Sequence, residues 1–146
     1  MSITELRSID NFTGEYRFLS NFFPSVIRYE QIVYPAVEHA YQAAKAPSIR
    51  EKRLIAAAAS AGHAKRMGQK VALPKNWESV KVGIMRELVR IKFTKYPELR
   101  RRLIETGELP LIEENTWGDR FWGTCGGIGQ NHLGRILMEI RNELRD

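Results

Sequence analysis

Cysteine is almost missing from this chain. Cys125 is the single one in 146 residues, so no disulfide can form within it, and neither a Cys-x-x-Cys pair nor a Cys/His cluster at zinc spacing occurs. His39, His63 and His132 lack the spacing of metal ligands, and His-Glu-x-x-His is absent, so the expectation is no metal and no cofactor. No apolar run reaches the roughly 20 residues that cross a bilayer. The first residues, Met1 to Arg7, lack the basic-then-apolar order of an export signal. The expected setting is therefore the reducing cytoplasm, with no membrane partner. Internal repeats and low-complexity linkers are also missing, and at this length one domain spanning residues 1–146 is expected.

What remains is an ordinary globular composition: 43% hydrophobic, 27% charged and 10% aromatic residues, enough for a real core. Lys and Arg number 23 against 17 Asp and Glu, a net charge of +6, which points to an anionic partner without naming it. The run Val26 to Tyr34 carries β-branched and aromatic residues on both sides of Glu30-Gln31 and predicts a short hairpin. Helices are predicted over Ala36–Lys45, Ile49–Ala61, Ala64–Val71, Trp77–Lys95, Glu98–Glu105 and Asn131–Leu144. In the longest, Asn76 suits the N-cap, Val80, Ile84, Leu88 and Ile91 form the apolar stripe, and Pro97 stops it. In the last, Leu133, Ile136, Leu137, Ile140 and Leu144 recur at helical spacing. Leu111 to Glu114 reads as an isolated strand and Trp117 to Gln130 as a glycine-rich surface loop. The class is mainly α: a compact single-domain, multihelical fold with a small β-hairpin.

The segment Glu38-His-Ala-Tyr-Gln-Ala-Ala-Lys45 has no normal solvent face. Val37, Ala40, Tyr41 and Ala44 make one stripe, and the opposite side carries His39, Ala43 and Ala46 in place of charges, so the helix is expected to be buried nearly all round. Glu38 and Lys45, with Gln42 between them, point into one sector beside Tyr41. A carboxylate and an amine aimed together into a half-buried site are catalytic candidates; the alternative is an exposed Glu-to-Lys stripe. Trp77 opens a helix, and Trp117, Phe121 and Trp122 crowd around Asp119. Flat rings beside a carboxylate suit a heterocyclic base and its sugar, although each Trp serves equally as a core anchor. Gly123 to Asn131 runs into the last helix, where free backbone N–H groups would receive a phosphate, or would belong to a mobile loop. Cys125 reads as a bystander thiol, and Arg100 to Arg102 as a solvated helix face.

Five segments in order resemble the YbiA-like, or NADAR, family: Phe18-Leu-Ser-Asn-Phe22, Glu38-His-Ala-Tyr-Gln-Ala-Ala-Lys45, Asn76-Trp-Glu-Ser-Val-Lys81, Asp119-Arg-Phe-Trp-Gly123 and Gly127-Ile-Gly-Gln-Asn-His-Leu-Gly134. The motif-bearing region covers about residues 18–144, and the departures fall in spacers such as Ile49–Ala61 and Thr124–Gly126. The resemblance implies a compact, mostly helical fold and N-glycosidase activity on ribosyl compounds. One branch of the family hydrolyses phosphoribosylaminopyrimidines, early riboflavin-pathway intermediates, to ribose 5-phosphate and a free pyrimidine. Another removes ADP-ribose from modified guanine in nucleic acid.

Carried over by motif, the resemblance makes Glu38 the essential glutamate, Trp77 the base-side ring, and Asp119 with Trp122 and Gly123 the Asp-x-x-Trp-Gly element. Phe18, Asn21, Tyr41, Gly129 and Asn131 belong to motifs expected to line the pocket, and Lys45 closes the glutamate motif. Glu38, Lys45 and Asp119 are thus the expected catalytic residues, acting on a small ribosyl phosphate. ADP-ribosylated nucleic acid is the alternative substrate, and a non-catalytic module binding ADP-ribose or NAD is the alternative function.

Overall fold

Glu30 and Gln31 both take positive φ, 48° and 72°, the two-residue reversal whose twist suits an antiparallel hairpin. It joins β1 (Ile27–Tyr29) to β2 (Ile32–Tyr34), with Ile27 opposite Tyr34 and Tyr29 opposite Ile32. This is the hairpin expected from the sequence. The structure, a computed structural model, describes residues 6–145, so most of the segment read for an export signal lies outside the described residues. These residues form two compact units, one made of residues 21–95 and one made of the residues before and after that stretch.

The first unit contains the hairpin, α1 (Val37–Ala43), α2 (Ile49–Ala56), α3 (Ala61–Gly68) and α4 (Trp77–Lys95). Helix α1 is packed by α2, α3, α4 and β2, and all seven of its residues are buried, as its lack of a solvent face predicts. It is shorter than the expected Ala36–Lys45. Pro47 disfavours helical backbone before it, and the chain closes instead by tight bonds, Lys45 N–H to the Gln42 carbonyl at 3.1 Å and Ala46 N–H to the Ala43 carbonyl at 2.9 Å. Helical spacing runs the second helix on through the alanines after Ile55 to Ala61. It ends instead at Ala56, because Ser60 caps α3 by accepting from the His63 N–H at 3.0 Å, which also moves α3 ahead of the expected Ala64–Val71.

Helix α4 has the expected ends, but its buried face is turned. Met85, Leu88, Val89, Lys92 and Phe93 are buried after Trp77, while Val80, Ile84 and Ile91 are only half-buried. The lysine hides the true stripe from a hydrophobicity pattern. Lys92 is 1% exposed, with Nζ 5.5 Å from the centre of the Phe23 ring and 5.0 Å from that of Phe93. Aromatic faces are favourable to a cation, yet burial pushes this amine down to about 7.

The second unit holds a 3-10 helix over Gly14–Leu19, which the sequence reading missed, α5 (Pro97–Glu105), β3 (Glu114–Asn115), β4 (Thr124–Cys125) and α6 (His132–Leu144). Helices α5 and α6 pack together; α5 begins with Pro97 at its first position, one residue ahead of Glu98. The isolated strand expected over Leu111–Glu114 is resolved differently. Leu111 forms a parallel bridge with Ile9, and the ladder proper is Glu114–Asn115, parallel to Thr124–Cys125. Only Arg101 of the three consecutive arginines lies on a solvated face, paired with Glu98 and Glu105. Arg100 donates to the Leu144 carbonyl at 2.9 Å, and Arg102 donates to the Glu15 carbonyl at 2.6 Å while its guanidinium lies 4.2 Å from the Phe18 ring centre. Those two arginines fasten the chain before residue 20 and the end of α6 to α5.

Lys92 generates a stability test. Its amine titrates near 7 when folded and at the ordinary 10.5 when unfolded. Between those values the unfolded chain holds the extra proton, so stability rises with pH across that window, and below it the penalty is fully present. Lys92→Met should therefore melt above wild type at neutral pH, with the gap narrowing as pH is raised. A gap independent of pH would refute the buried-amine account.

Candidate functional site

The buried faces of α1 bring a carboxylate into the core of the first unit. Glu38 is 7% exposed and Gln42, one turn on, is 4% exposed; the Gln42 Nε2 amide donates to Glu38 Oε2 at 2.6 Å. A carboxylate taken out of water needs such donors. The Glu38 N–H in turn donates to the Asn21 carbonyl at 3.1 Å, and the Asn21 amide reaches Met85 Sδ at 3.4 Å. Asn21 is thereby tied to both α1 and α4. The Gln42 carboxamide lies against Gly68 of α3, where a Cβ would overlap Gln42 Oε1 and Cδ. His39, on the other side of α1, is 2% exposed and donates from Nε2 to the Ala58 carbonyl at 3.1 Å. Burial lowers its pKa, the bond to Ala58 partly opposing, so it is a neutral core histidine.

Lys45 is half-buried just past the end of α1. Its Nζ lies 5.4 Å from the centre of the Tyr41 ring and 6.0 Å from that of Trp77, and those two rings meet at 5.4 Å with planes tilted by 49°. Burial pushes the Lys45 ammonium below the usual lysine range. The Glu38 carboxylate pulls it back up, and the ammonium groups of Lys65 and Lys81 press it down again. Glu38, Tyr41 and Lys45, which the sector argument from sequence puts on one side of the helix, form an electrostatic and aromatic cluster to which the structure adds Trp77. Trp77 is only 4% exposed, so it anchors the core and offers a ligand little more than an edge. The sequence reading did not single out Lys65. Lys81 was visible as the end of the Asn76 motif, four residues after Trp77.

The remaining expected site residues lie in the second unit. Asp119 Oδ1 accepts from the Phe121 and Trp122 N–H groups at 3.0 and 2.9 Å. Its own backbone is clamped by Asn115, whose Oδ1 accepts from the Asp119 N–H and whose Nδ2 donates to the Asp119 carbonyl. Trp122 is half-buried and meets Phe121 edge-on at 4.9 Å, while Phe121 meets His132 at 4.4 Å. Phe18 is 2% exposed, beneath Arg102. Asn131 stands in the left-handed region at φ 53°, and its side chain joins two backbone groups, accepting from the Glu113 N–H and donating to the Leu111 carbonyl.

Gly123 to Asn131, read from sequence either as a turn receiving a phosphate or as a mobile loop, has many of its backbone donors engaged within the chain. The N–H groups of Gln130, Asn131, His132 and Leu133 donate to the carbonyls of Arg120, Gly123, Phe121 and Trp122, and those of Gly126 and Gly127 donate to the Glu114 carboxylate. They are spent on holding the chain together, so neither a free anion nest nor a loosely tethered loop describes the segment. Gly123 and Gly129 permit the close passage: a Cβ on Gly123 would overlap the Glu113 carbonyl, and one on Gly129 the Gly123 carbonyl. Cys125 is a free thiol and half-buried. Among the described residues no three His, Cys, Asp or Glu side chains gather as a metal site, and no helix is long and apolar enough to cross a membrane.

The NADAR domain family model matches residues 10–145, and the chain belongs to that family. It is 39% identical over 135 residues to the N-glycosidase YbiA of Escherichia coli K12, covering 90% of this chain and 84% of that protein. An N-glycosidase of Nostoc punctiforme is also 39% identical, over 138 residues, covering 90% and 87%. A riboflavin biosynthesis protein of Vibrio vulnificus is 37% identical over 132 residues, which are 88% of this chain and 36% of that protein. The solution structure of E. coli YbiA superposes with a TM-score of 0.83 at 35% identity, covering 99% of this chain and 93% of that one. The multihelical fold with its small hairpin is therefore the YbiA fold.

Gly68 offers a check on how firmly the Glu38 and Gln42 pair is set. Gly68→Ala inserts a methyl where the Gln42 amide lies, so urea denaturation should show a loss of about 1–3 kcal/mol, the range for overpacking. Unchanged stability would mean that Gln42 is not pinned against α3.

Proposed function

We propose that this chain hydrolyses the N-glycosidic bond of a phosphoribosylaminopyrimidine, releasing ribose 5-phosphate and the free pyrimidine. Its broader class, a hydrolase acting on N-glycosyl compounds, follows from its family and from relatives named N-glycosidase. The Vibrio relative's riboflavin-biosynthesis name supports the pyrimidine substrate. The observation that carries the chemistry is the buried Glu38 carboxylate facing a half-desolvated Lys45 beside the Tyr41 and Trp77 rings.

Breaking a bond from the ribose anomeric carbon to nitrogen leaves positive charge on the sugar and needs a proton on the departing nitrogen. Glu38, held by Gln42, supplies negative charge as its carboxylate, takes the proton that the attacking Lys45 amine sheds and passes it to the departing nitrogen. Lys45 acts as nucleophile: its neutral amine bonds to the anomeric carbon as the C–N bond to the base breaks. The sugar ring opens to an imine, and water then releases the sugar and restores the amine. Burial favours the neutral form that this step requires, Glu38 opposes it, and the Lys65 and Lys81 ammonium groups add to the effect of burial. The rings of Tyr41 and Trp77 flank Lys45 on the base side. Asp119 enters as stabiliser of the sugar cation on the strength of its family motif, and Phe18, Asn21, Trp122, Gly123, Gly129 and Asn131 enter as substrate contacts on the same ground. We treat the chain as one functional domain because a single family model runs through both units, and its one cysteine suits a cytoplasmic setting. The second reading, removal of ADP-ribose from modified guanine in nucleic acid, is favoured by the net charge of +6.

Two experiments decide the roles. Glu38→Gln should retain the fold by circular dichroism and lose at least ~100-fold in turnover, the range of acid–base help; near-normal turnover would remove Glu38 from the mechanism. Borohydride added during turnover should fix the sugar covalently to the peptide containing Lys45, and Lys45→Arg should be inactive because a guanidinium stays protonated. An active Lys45→Arg enzyme with no trapped adduct would leave Lys45 a purely electrostatic part. Mass spectrometry of the released products from ribosylated pyrimidines and ADP-ribosylated oligonucleotides identifies the substrate.

A further inference from the structure

Lysines from three different elements converge in the first unit. Lys45 follows α1, Lys65 lies on α3 and Lys81 on α4, and the charges of Lys65 and Lys81 both reach the Lys45 ammonium. Helices α3 and α4 each pack on α1, so the convergence is built into the fold. Lys81 is four residues after Trp77, on the same side of α4, and Trp77 lies under Lys45. Lys65 Nζ stands 6.0 Å from the centre of the Phe22 ring, next to Asn21, whose carbonyl receives the Glu38 N–H. The Lys81 side chain is 15% exposed, and its ammonium contacts Glu78, whose side chain is 78% exposed. Its stem is thus packed away while its charge stays at the rim.

The Glu38 carboxylate acts on Lys45 and Glu78 pairs with Lys81, yet three ammonium groups drawn from three elements leave the place with an excess of positive charge that a dianion would answer. Building on the N-glycosidase reading, we propose that Lys65 and Lys81 form an anion subsite for the phosphate carried on the reacting ribose, leaving Lys45 for the anomeric carbon. Lysine suits this task as a compact, movable point charge that tolerates phosphate in more than one orientation. Glu78, whose side chain is 78% exposed, does not block this role, because an ion pair with so exposed a partner contributes little and a phosphate can replace it. The ligand chemistry is a phosphate on the ribose 5-oxygen, whether a monoester or the first phosphate of a diphosphate.

The test measures affinity of the whole chain for ribose, ribose 5-phosphate, ADP-ribose and inorganic phosphate by calorimetry, for wild type, Lys65→Met, Lys81→Met and Lys81→Arg. In wild type at least one phosphorylated probe should bind ~10-fold or more above ribose, with a gap that shrinks as salt is added. Each Met variant should close that gap, and Lys81→Arg, which keeps the charge, should preserve much of it. Lys65→Met serves as the second arm should the packed stem of Lys81 prove necessary for folding, which melting curves reveal. A gap confined to ribose 5-phosphate assigns a monoester; one confined to ADP-ribose assigns a diphosphate. Equal binding of ribose and both phosphorylated probes by wild type, or a gap that survives in folded Met variants, overturns the proposal. Turnover of an N-ribosylated aminopyrimidine without phosphate is followed in parallel. If it persists when the gap is absent, the anion subsite alone has failed; if no substrate turns over while the gap is present, the N-glycosidase reading alone has failed.

Discussion

Helix α1 has water on no side, and much of the first unit follows from that. A helix surrounded by α2, α3, α4 and β2 must be narrow where its neighbours come closest, which is why Ala40 and Ala43 stand where larger residues would hold those helices apart. It also carries polar groups inward, and most of them find a partner, although His39 Nδ1 and Gln42 Oε1 are buried without a hydrogen bond. The Glu38 carboxylate receives the Gln42 amide, the Glu38 N–H reaches Asn21, and the His39 ring reaches Ala58. Gly68 exists in the same logic, since the Gln42 carboxamide occupies the space a side chain would need. The candidate catalytic carboxylate is therefore part of the core and inherits its rigidity, as preorganised electrostatics require.

The second unit uses a different economy. Its irregular stretch between β3 and α6 is held by backbone groups that meet one another and by three acidic or amide side chains placed to receive the rest. Glu114 takes two glycine N–H groups and the Thr124 hydroxyl, Asp119 takes two more N–H groups, and Asn131 joins Leu111 to Glu113. The hydroxyl and amide bonds hold the Glu114 carboxyl below its usual range. A stretch rich in glycine becomes ordered here because buried or shared peptide groups seldom go unpaired.

Sequence alone carried the helical class, the hairpin and the central placing of the Glu38 helix, because these rest on local signals: β-branched residues flanking a polar pair, helical spacing, and a segment with no charge opposite its apolar stripe. It erred where the deciding signal is a single side chain or a tertiary partner. Ser60 divides what reads as one alanine-rich helix from the next, and Pro47 shortens α1. Lys92 conceals the buried face of α4, since a charged residue is scored as solvent-facing whatever rings surround it. The glycine-rich segment misled for another reason. Its composition says that the backbone bends sharply, and nothing in it says which carbonyls receive the N–H groups. Glu38, Lys45 and Tyr41 were legible together from spacing; Trp77 and Lys65 could not be joined to them that way, because their places depend on how α4 and α3 pack on α1.

A helix with no solvent face has no position at which substitutions accumulate without consequence. Ala40 and Ala43 are buried, so a larger residue there would have to be accommodated by the packed neighbours, and removing the polar end of Glu38, His39 or Gln42 would cost its partner a hydrogen bond in the interior. Divergence toward new substrates is thereby steered away from the buried faces of α1 and toward exposed positions, where side chains can change at little cost to folding. The architecture thus separates what is hard to alter from what can be tuned, and a family built on it would vary its substrates at the periphery while keeping one interior.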